Sequence, residues 1–148
     1  MIGRLTTAEI EQVLRTGQVC RLGVYGDGRI YIFPVNYGYD GASIFVHSHE
    51  GLKVQLMRAH PEVCVEVEEI DSSAHWRSVM AHGEFEELTD EARRDAALAA
   101  IAGQGERLSP PSVAPYVDGP AKLVVYRIQV TERTGRYEQN YVLASHSV

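Results

Sequence analysis

The sequence alternates between apolar and more polar residues from position 63 to position 68, and this pattern constrains the fold more than any other stretch of the chain. Such alternation is typical of a strand with one face in the core and one face in water. Strands of a buried parallel sheet have continuous apolar runs instead. The pattern therefore predicts a sheet that is covered on one face. The residues concerned are Val63, Cys64, Val65, Glu66, Val67 and Glu68.

Short turns join most of the predicted strands, and helices are inserted between them. Gly26-Asp27-Gly28 and Asp40-Gly41 are typical turn sequences, and Pro34 predicts an edge strand or a bulge because proline has no N–H. This order lacks the regular strand–helix alternation of a doubly wound sheet and favours a mainly β fold, a small six-stranded antiparallel barrel with helices at its ends. The predicted helices are Thr7–Thr16, with Thr6 and Glu9 as a capping box, Glu50–His60 and a helix from a Thr89 cap to Ala102. The predicted strands are Val19–Tyr25, Ile30–Asn36, Ser43–His47, the stretch 63–68, Trp76–Leu88 and Lys122–Glu132. Gly103–Pro120 is predicted as a loop.

Composition sets the class of protein. A length of 148 residues predicts one domain, 1–148, and the net charge of −6 disfavours binding to nucleic acid. No apolar run approaches the ~20 residues of a membrane span, and Met1–Arg4 leads into a polar helix, so we expect a cytoplasmic protein. Cys20 and Cys64 are far apart in apolar runs, which predicts two reduced core thiols.

The segment Phe45–Met57 has the pattern of a strand that breaks directly into a helix. A helix start carries free N–H groups and a partial positive charge. Ser48 adds a hydroxyl, Gly51 allows close approach to the backbone, and Lys53 adds a full charge. A solvated lysine is the ordinary interpretation, but cations are unfavourable in a first helical turn. The combination predicts an anion site suited to phosphate.

Two histidines flank Ser48. His47 and His49 are two residues apart, so a strand would place both on one face. A His-x-His pair can begin a metal site, but the carboxylate that such sites need is replaced by Lys53 and Val54, so we expect no metal. His49 is interpreted as a solvated loop residue. His47 either contacts a ligand or has a structural hydrogen bond.

Two other segments could contact a ligand. Pro34-Val35-Asn36-Tyr37 interrupts an apolar strand and could present backbone groups to a planar heterocycle, or it could be a simple bulged edge. Trp76 is either a core residue or a cofactor contact, and Arg77 alternates to the other side of its strand. The sequence has no Gly-x-Gly-x-x-Gly, Walker or Gly-x-Ser-x-Gly motif, so it does not indicate nucleotide binding by those routes or a hydrolase.

Taken in order, these motifs resemble the pyridoxamine 5′-phosphate oxidase-related family and, within it, the nitroimidazole-resistance (Nim-like) flavoproteins. The resemblance is good from Gly3 to Leu88 and looser from Leu123 to Gly135. Several motifs carry it: Cys20-Arg21-Leu22-Gly23-Val24, Pro34-Val35-Asn36-Tyr37, Phe45-Val46-His47-Ser48, Gly51-Leu52-Lys53, Pro61–Val67 and Trp76-Arg77-Ser78-Val79.

The resemblance implies an FMN-binding split barrel that forms a homodimer with FMN at the subunit interface. Ser48, Gly51 and Lys53 would hold the phosphate, and His47 would lie beside the flavin as the candidate catalytic residue. The backbone of Pro34, Val35, Asn36 and Tyr37 would line the ring, and Trp76, Ser78 and Val79 would flank the cofactor, reaching the partner's site.

Two departures narrow the implied function. Leu52 replaces a phosphate-binding arginine of the pyridoxine phosphate oxidases, and no tryptophan follows Trp76, which argues against vitamin B6 oxidation. The resulting hypothesis is an FMN-dependent oxidoreductase acting on a small planar or nitro-aromatic substrate or a reduced nicotinamide. The alternative is a haem- or flavin-binding protein without turnover, with His47 or His49 as a possible axial ligand.

Overall fold

The computed structural model describes residues 1–105 and 122–140. In this part of the chain, none of the helices is both long and apolar enough to cross a membrane. The elements are β1 (Ile2–Arg4), α1 (Thr7–Thr16), β2 (Val19–Gly26), β3 (Arg29–Asn36), β4 (Gly38–Tyr39), β5 (Ser43–His49), α2 (Leu52–Ala59), β6 (Glu62–Ser72), β7 (His75–Glu87), α3 (Glu91–Ala102) and β8 (Leu123–Gln139).

All described strand pairs are antiparallel and belong to one open sheet. The strand order is β3-β2-β6-β7-β8-β5-β4, and β1 pairs with the end of β8. β8 is the longest strand, with 17 residues. Its register against β7 shifts between His82 and Gly83, and a side chain at position 83 would collide with the Gln129 carbonyl. A glycine is therefore required where the long β7–β8 ribbon bends.

The inner face of the sheet forms the core, as the alternation at 63–68 predicted. Val63, Val65 and Val67 are all at most 6% exposed. α1 covers one end of this core with Val13 and Leu14, which are fully buried. α1 begins with the predicted capping box, in which the Thr6 hydroxyl accepts the Glu9 N–H and the Glu9 carboxylate accepts the Thr6 N–H.

The structure confirms the mainly β split-barrel class and all six predicted strands, and it adds two short ones. β1 and β4 have three and two residues, too few to show a period in the sequence. β8 continues seven positions beyond the predicted end at Glu132, since the polar tail pairs with β1 and the start of β7. Pro34 lies in an edge strand whose register against β2 is unbroken, so the bulge alternative is wrong.

Two boundary predictions and one burial prediction are corrected. The cap of α3 is Asp90 rather than Thr89, because the Asp90 carboxylate accepts the Arg93 N–H. β6 runs through Ser72, four residues beyond the predicted stretch 63–68. Cys64 is half-buried on the outer face rather than in the core, whereas Cys20 is buried, and both thiols are free. Of the predicted Gly103–Pro120 loop, positions 106–120 lie outside the described residues.

Candidate functional site at the split between β3 and β5

The barrel is open where the chain passes from β3 through β4 to β5. The β4–β5 ladder has only two pairs, Gly38 with Phe45 and Tyr39 with Ile44. If that register continued, Asn36 would lie opposite His47. The ladder ends before this point. We call the space between residues 34–36 of β3 and residues 47–49 of β5 "the split".

The edge of β3 presents backbone groups to the split. The Tyr37 N–H donates to the Gln18 carbonyl at 3.2 Å, in continuation of the β2–β3 register. Hydrogen-bonded and non-bonded pairs alternate along antiparallel strands, so the N–H positions of Asn36 and Pro34 point away from β2. Pro34 thus removes no ladder bond, and Asn36 offers an N–H and a C=O to the split.

Ser48 and His47 lie on opposite faces at the end of β5. Ser48 shares the core side with Val46 and is 6% exposed, and its Oγ has no hydrogen-bond partner within residues 1–105 and 122–140. A buried hydroxyl without a partner costs free energy, so a ligand oxygen here would stabilise the site. His47 and His49 share the other face, as predicted, and both are half-buried. His49 is the last residue of β5, so its interpretation as a solvated loop residue is wrong.

Gly51 is the N-cap of α2 and gives the helix no side-chain cap, and the first turn contains no acidic residue. Lys53 is the second residue of α2 and is half-buried. Its Nζ lies 5.6 Å from the centre of the Phe33 ring of β3. Among the described residues, Lys53 forms no ion pair, and burial lowers its pKa. An uncompensated cation at a helix start is unfavourable by itself, so the site suits an oxyanion such as phosphate.

Residues 34–36 of β3, His47 and Ser48 of β5 and the start of α2 border the split, and Lys53 of α2 reaches the Phe33 ring of β3. Tyr37 does not belong with them: its side chain is fully buried, its N–H donates to Gln18 and its hydroxyl donates to the Leu14 carbonyl. It therefore has no free donor for a ligand. Ser48 and Lys53 form the inner group. The outer group is His47 with the β3 edge. This separation agrees with a ligand that has an anionic group at one end and a planar ring at the other.

The three remaining predicted site residues lie elsewhere in the same chain. The Trp76 indole donates to Glu138 at 2.9 Å, and the Ser78 hydroxyl donates to Glu66 at 2.7 Å. Both are on the outer face of β7, which is three strands from β3 and two strands from β5, or about 14 Å and about 10 Å. The side chain of Val79 is fully buried in the core and cannot line a surface site. One protomer therefore does not place Trp76 or Ser78 at its own split.

Sequence reasoning missed the apolar character of the outer face, meaning the side of β2, β3, β6 and β7 that points away from the core. Ile30 and Ile32 are 76% and 68% exposed. The signal was present in Ile30-Tyr31-Ile32-Phe33, where the residues that point to either face of the strand are all apolar. Such a run predicts a strand covered on both faces. An apolar patch of this kind is typical of an interaction surface. Its large apolar residues are Val19, Tyr25, Ile30, Ile32, Ile70 and Met80.

A polar cluster lies beside this patch. Arg21 contacts Glu68 at 2.9 Å, and Glu66 accepts the Ser78 hydroxyl. Burial raises the pKa of Glu66, and the neighbouring Glu68 raises it further. A cover over the outer face would have to accommodate these charges.

A comparison with protein families gives one match along most of the chain. A family model described as pyridoxamine 5′-phosphate oxidase matches residues 6–137. An uncharacterized protein from Rhizobium meliloti (strain 1021) is 31% identical over 84 residues, which cover 57% of this chain and 56% of that protein. The chain thus matches just over half the length of this curated relative.

Solved structures share the fold. A protein from Mesorhizobium loti, described as FAD-binding, superposes with a TM-score of 0.75 and 29% identity over 95% of this chain and 98% of that one. A proposed 5-nitroimidazole antibiotic resistance protein from Bacteroides thetaiotaomicron gives 0.72 and 21% identity over 93% and 87%. The second likeness shows the fold alone.

Proposed function

Because the chain belongs to the pyridoxamine 5′-phosphate oxidase family, we propose that it is an FMN-dependent oxidoreductase. Its substrate would be a small planar or nitro-aromatic compound or a reduced nicotinamide. The observation that carries the proposal is Lys53, a half-buried cation with no ion pair in the described part of the chain, five positions after Ser48, whose buried hydroxyl has no partner among the same residues. The Mesorhizobium loti relative, described as FAD-binding, supports a flavin as the ligand.

The phosphate would lie at the inner side of the split. The Lys53 ammonium would pair with it, the Ser48 hydroxyl would donate to it, and the free N–H groups after Gly51 would point at it. Each of these groups is incompletely satisfied without an anion. Leu52, 49% exposed, supplies no charge, so Lys53 contributes the positive side chain of this turn.

The ring would lie along the edge of β3. Asn36 offers backbone donor and acceptor positions there, which suit a heterocycle whose rim alternates donors and acceptors. A bound flavin would supply hydride-transfer chemistry. His47, on the outer side of β5, would orient the substrate or hold a proton near neutral pH.

A second copy of the chain would complete the site. Trp76 and Ser78 are too far from the split of their own protomer, and they share the outer face with the exposed Ile30 and Ile32. A homodimer formed through this face would bury the apolar patch and bring Trp76 and Ser78 towards the partner's cofactor.

Oligomeric state tests this arrangement. Ile32→Glu is expected to shift the protein from dimer to monomer in sedimentation velocity, since it places a charge in the middle of the patch. Ala96→Glu is the control, because Ala96 is an exposed residue of α3 far from that face. A monomeric wild-type protein at micromolar concentration would contradict the dimer.

The visible spectrum tests the cofactor. We expect FMN to be bound at micromolar protein, with quenched flavin fluorescence and a flavin absorbance band that bleaches on addition of NADH or NADPH. Binding without bleaching by any donor would favour the alternative of a flavin-binding protein without turnover. A Soret band on haem titration that is lost in His47→Ala or His49→Ala, without flavin binding, would favour haem.

A further inference from the structure

Arg4 and Arg136 form a pair of like charges at the edge of the sheet. β1 pairs with the end of β8 in a register that places Arg4 directly opposite Arg136. Residues in this position share a face, with Cβ atoms about 5 Å apart, and like charges there repel each other. Both side chains are exposed, so burial does not explain the arrangement.

No carboxylate in the described part of the chain forms an ion pair with either arginine, although neighbouring arginines are paired. Arg77 lies 3.5 Å from Glu9. Arg4 also lines an adjoining cleft that contains Glu9 and Glu138, but Glu9 is bound to Arg77 and Glu138 accepts the Trp76 indole N–H. The two acids nearby are therefore already engaged by other donors.

The two arginines line a cleft of about 410 Å³ between α1 and β8. The hydroxyl-bearing residues Thr7 and Thr134 also line it, and no acidic residue does. Arg133, a third arginine in the lining, is already engaged, since it lies 3.5 Å from Glu11 and donates to the Gly41 carbonyl. In a protein with a net charge of −6, an acid-free cleft with several arginines is a local exception.

The cleft lies beside the residues predicted to flank the cofactor. Arg136 is directly opposite Ser78 in the β7–β8 ladder, and the pair two positions further along is Trp76 with Glu138. A ligand bound between Arg4 and Arg136 would thus contact the same region of the outer face as a substrate or cofactor held against Trp76 and Ser78.

We infer that Arg4 and Arg136, with the hydroxyls of Thr7 and Thr134, bind the diphosphate group of a nucleotide. A guanidinium presents several donors in a planar fork that matches two phosphate oxygens. A diphosphate carries enough negative charge to offset both arginines. The group could belong to a reduced nicotinamide dinucleotide or to FAD. The identity of the nucleotide rests on the proposed function, whereas the anion site itself does not.

Inorganic pyrophosphate is the first probe, titrated calorimetrically into the full-length, flavin-free protein. Arg4→Gln and Arg136→Gln are each expected to weaken binding about tenfold or more. Arg29→Gln is the matched control, since Arg29 is an exposed arginine at the start of β3 without an ion pair among the described residues. Lys53→Met tests the competing anion site at the split.

Three results would overturn the inference. These are no binding of pyrophosphate at all, an equal loss of affinity in Arg29→Gln, and a loss of affinity only in Lys53→Met. The first would mean that the cleft takes no diphosphate. The second would indicate a general charge effect, and the third would place the anion at the start of α2.

Enzyme kinetics then identify the source. If the diphosphate belongs to a nicotinamide dinucleotide, Arg136→Gln raises the KM for that donor while the affinity for FMN is unchanged. If it belongs to FAD, the variant weakens FAD but not FMN, and FAD replaces FMN in the proposed function. If neither changes, the assignment to a nucleotide is wrong. Pyrophosphate binding in a protein that binds no flavin would contradict the proposed function and leave the anion site intact.

Discussion

Replacing Lys53 by methionine separates a ligand-binding role from a structural one. The Lys53 side chain packs over the Phe33 ring with its Nζ 5.6 Å from the ring centre, and methionine keeps most of that apolar contact. The change therefore removes the charge and little else. Lys122→Met is the matched control, because Lys122 is exposed just before β8.

Two opposite effects are expected from Lys53→Met. A hydrogen bond to a charged group is worth about 1.5 to 3 kcal/mol, so the dissociation constant of FMN should rise about ten- to a hundredfold. Stability of the flavin-free protein should stay the same or rise, because burial lowers the pKa of Lys53 and the charged form therefore costs stability at neutral pH. That cost is present below the lowered folded pKa and disappears as the pH rises towards 10.5.

Fluorescence quenching of FMN gives the dissociation constant, and urea unfolding of the flavin-free protein gives the stability. Lys53→Arg keeps the charge and should retain most of the affinity. An unchanged dissociation constant in Lys53→Met would show that the lysine is an ordinary surface residue. A large loss of stability without FMN would show that its role is structural.

Three further predictions concern the fold. Gln104→Leu should lower the free energy of unfolding by about 3 kcal/mol. The reason is that the buried Gln104 amide donates to three carbonyls at the end of α1 and accepts a backbone N–H of β4. Urea unfolding measures the effect, and Gln129→Leu, at an exposed position, is the control. Glu66→Gln should stabilise the protein at pH 7, since burial raises the pKa of Glu66 and its ionised form costs stability above that pKa; the gain should vanish below the ordinary value of 4.5, where both folded and unfolded chains are protonated. Asp90→Ala should cost about 1 kcal/mol in thermal unfolding, whereas Thr89→Ala should cost almost nothing if Asp90 is the cap of α3.

Local signals in the sequence predicted the elements that are determined locally. The capping box of Thr6 and Glu9 fixed the start of α1, and the alternation at 63–68 identified a strand with one covered face. β1 could not be predicted in this way. Its three residues form a strand because the end of β8, more than 130 positions away, offers a pairing edge.

The candidate site was predicted only in part, because some of its residues are close in sequence and the rest of its geometry depends on long-range strand pairing. Ser48, Gly51 and Lys53 are close in sequence, and the strand period of two already places Ser48 and His47 on opposite faces. The split itself depends on where the β4–β5 ladder stops, at Gly38 and Phe45. No residue type marks that point, because it follows from the curvature of the whole sheet.

The exposed apolar face and the incomplete site have one common explanation. Burying a residue such as Ile32 removes apolar surface from water and is favourable, but it requires a second surface of similar size. Trp76 and Ser78 are on that same outer face, although β7 is separated from both borders of the split in its own chain, by three strands from β3 and by two from β5. If a second copy covers the face, the energy that drives association also positions these two residues at the partner's cofactor. Flavin binding and dimer formation would then stabilise each other, since a ligand held by both chains favours the associated state.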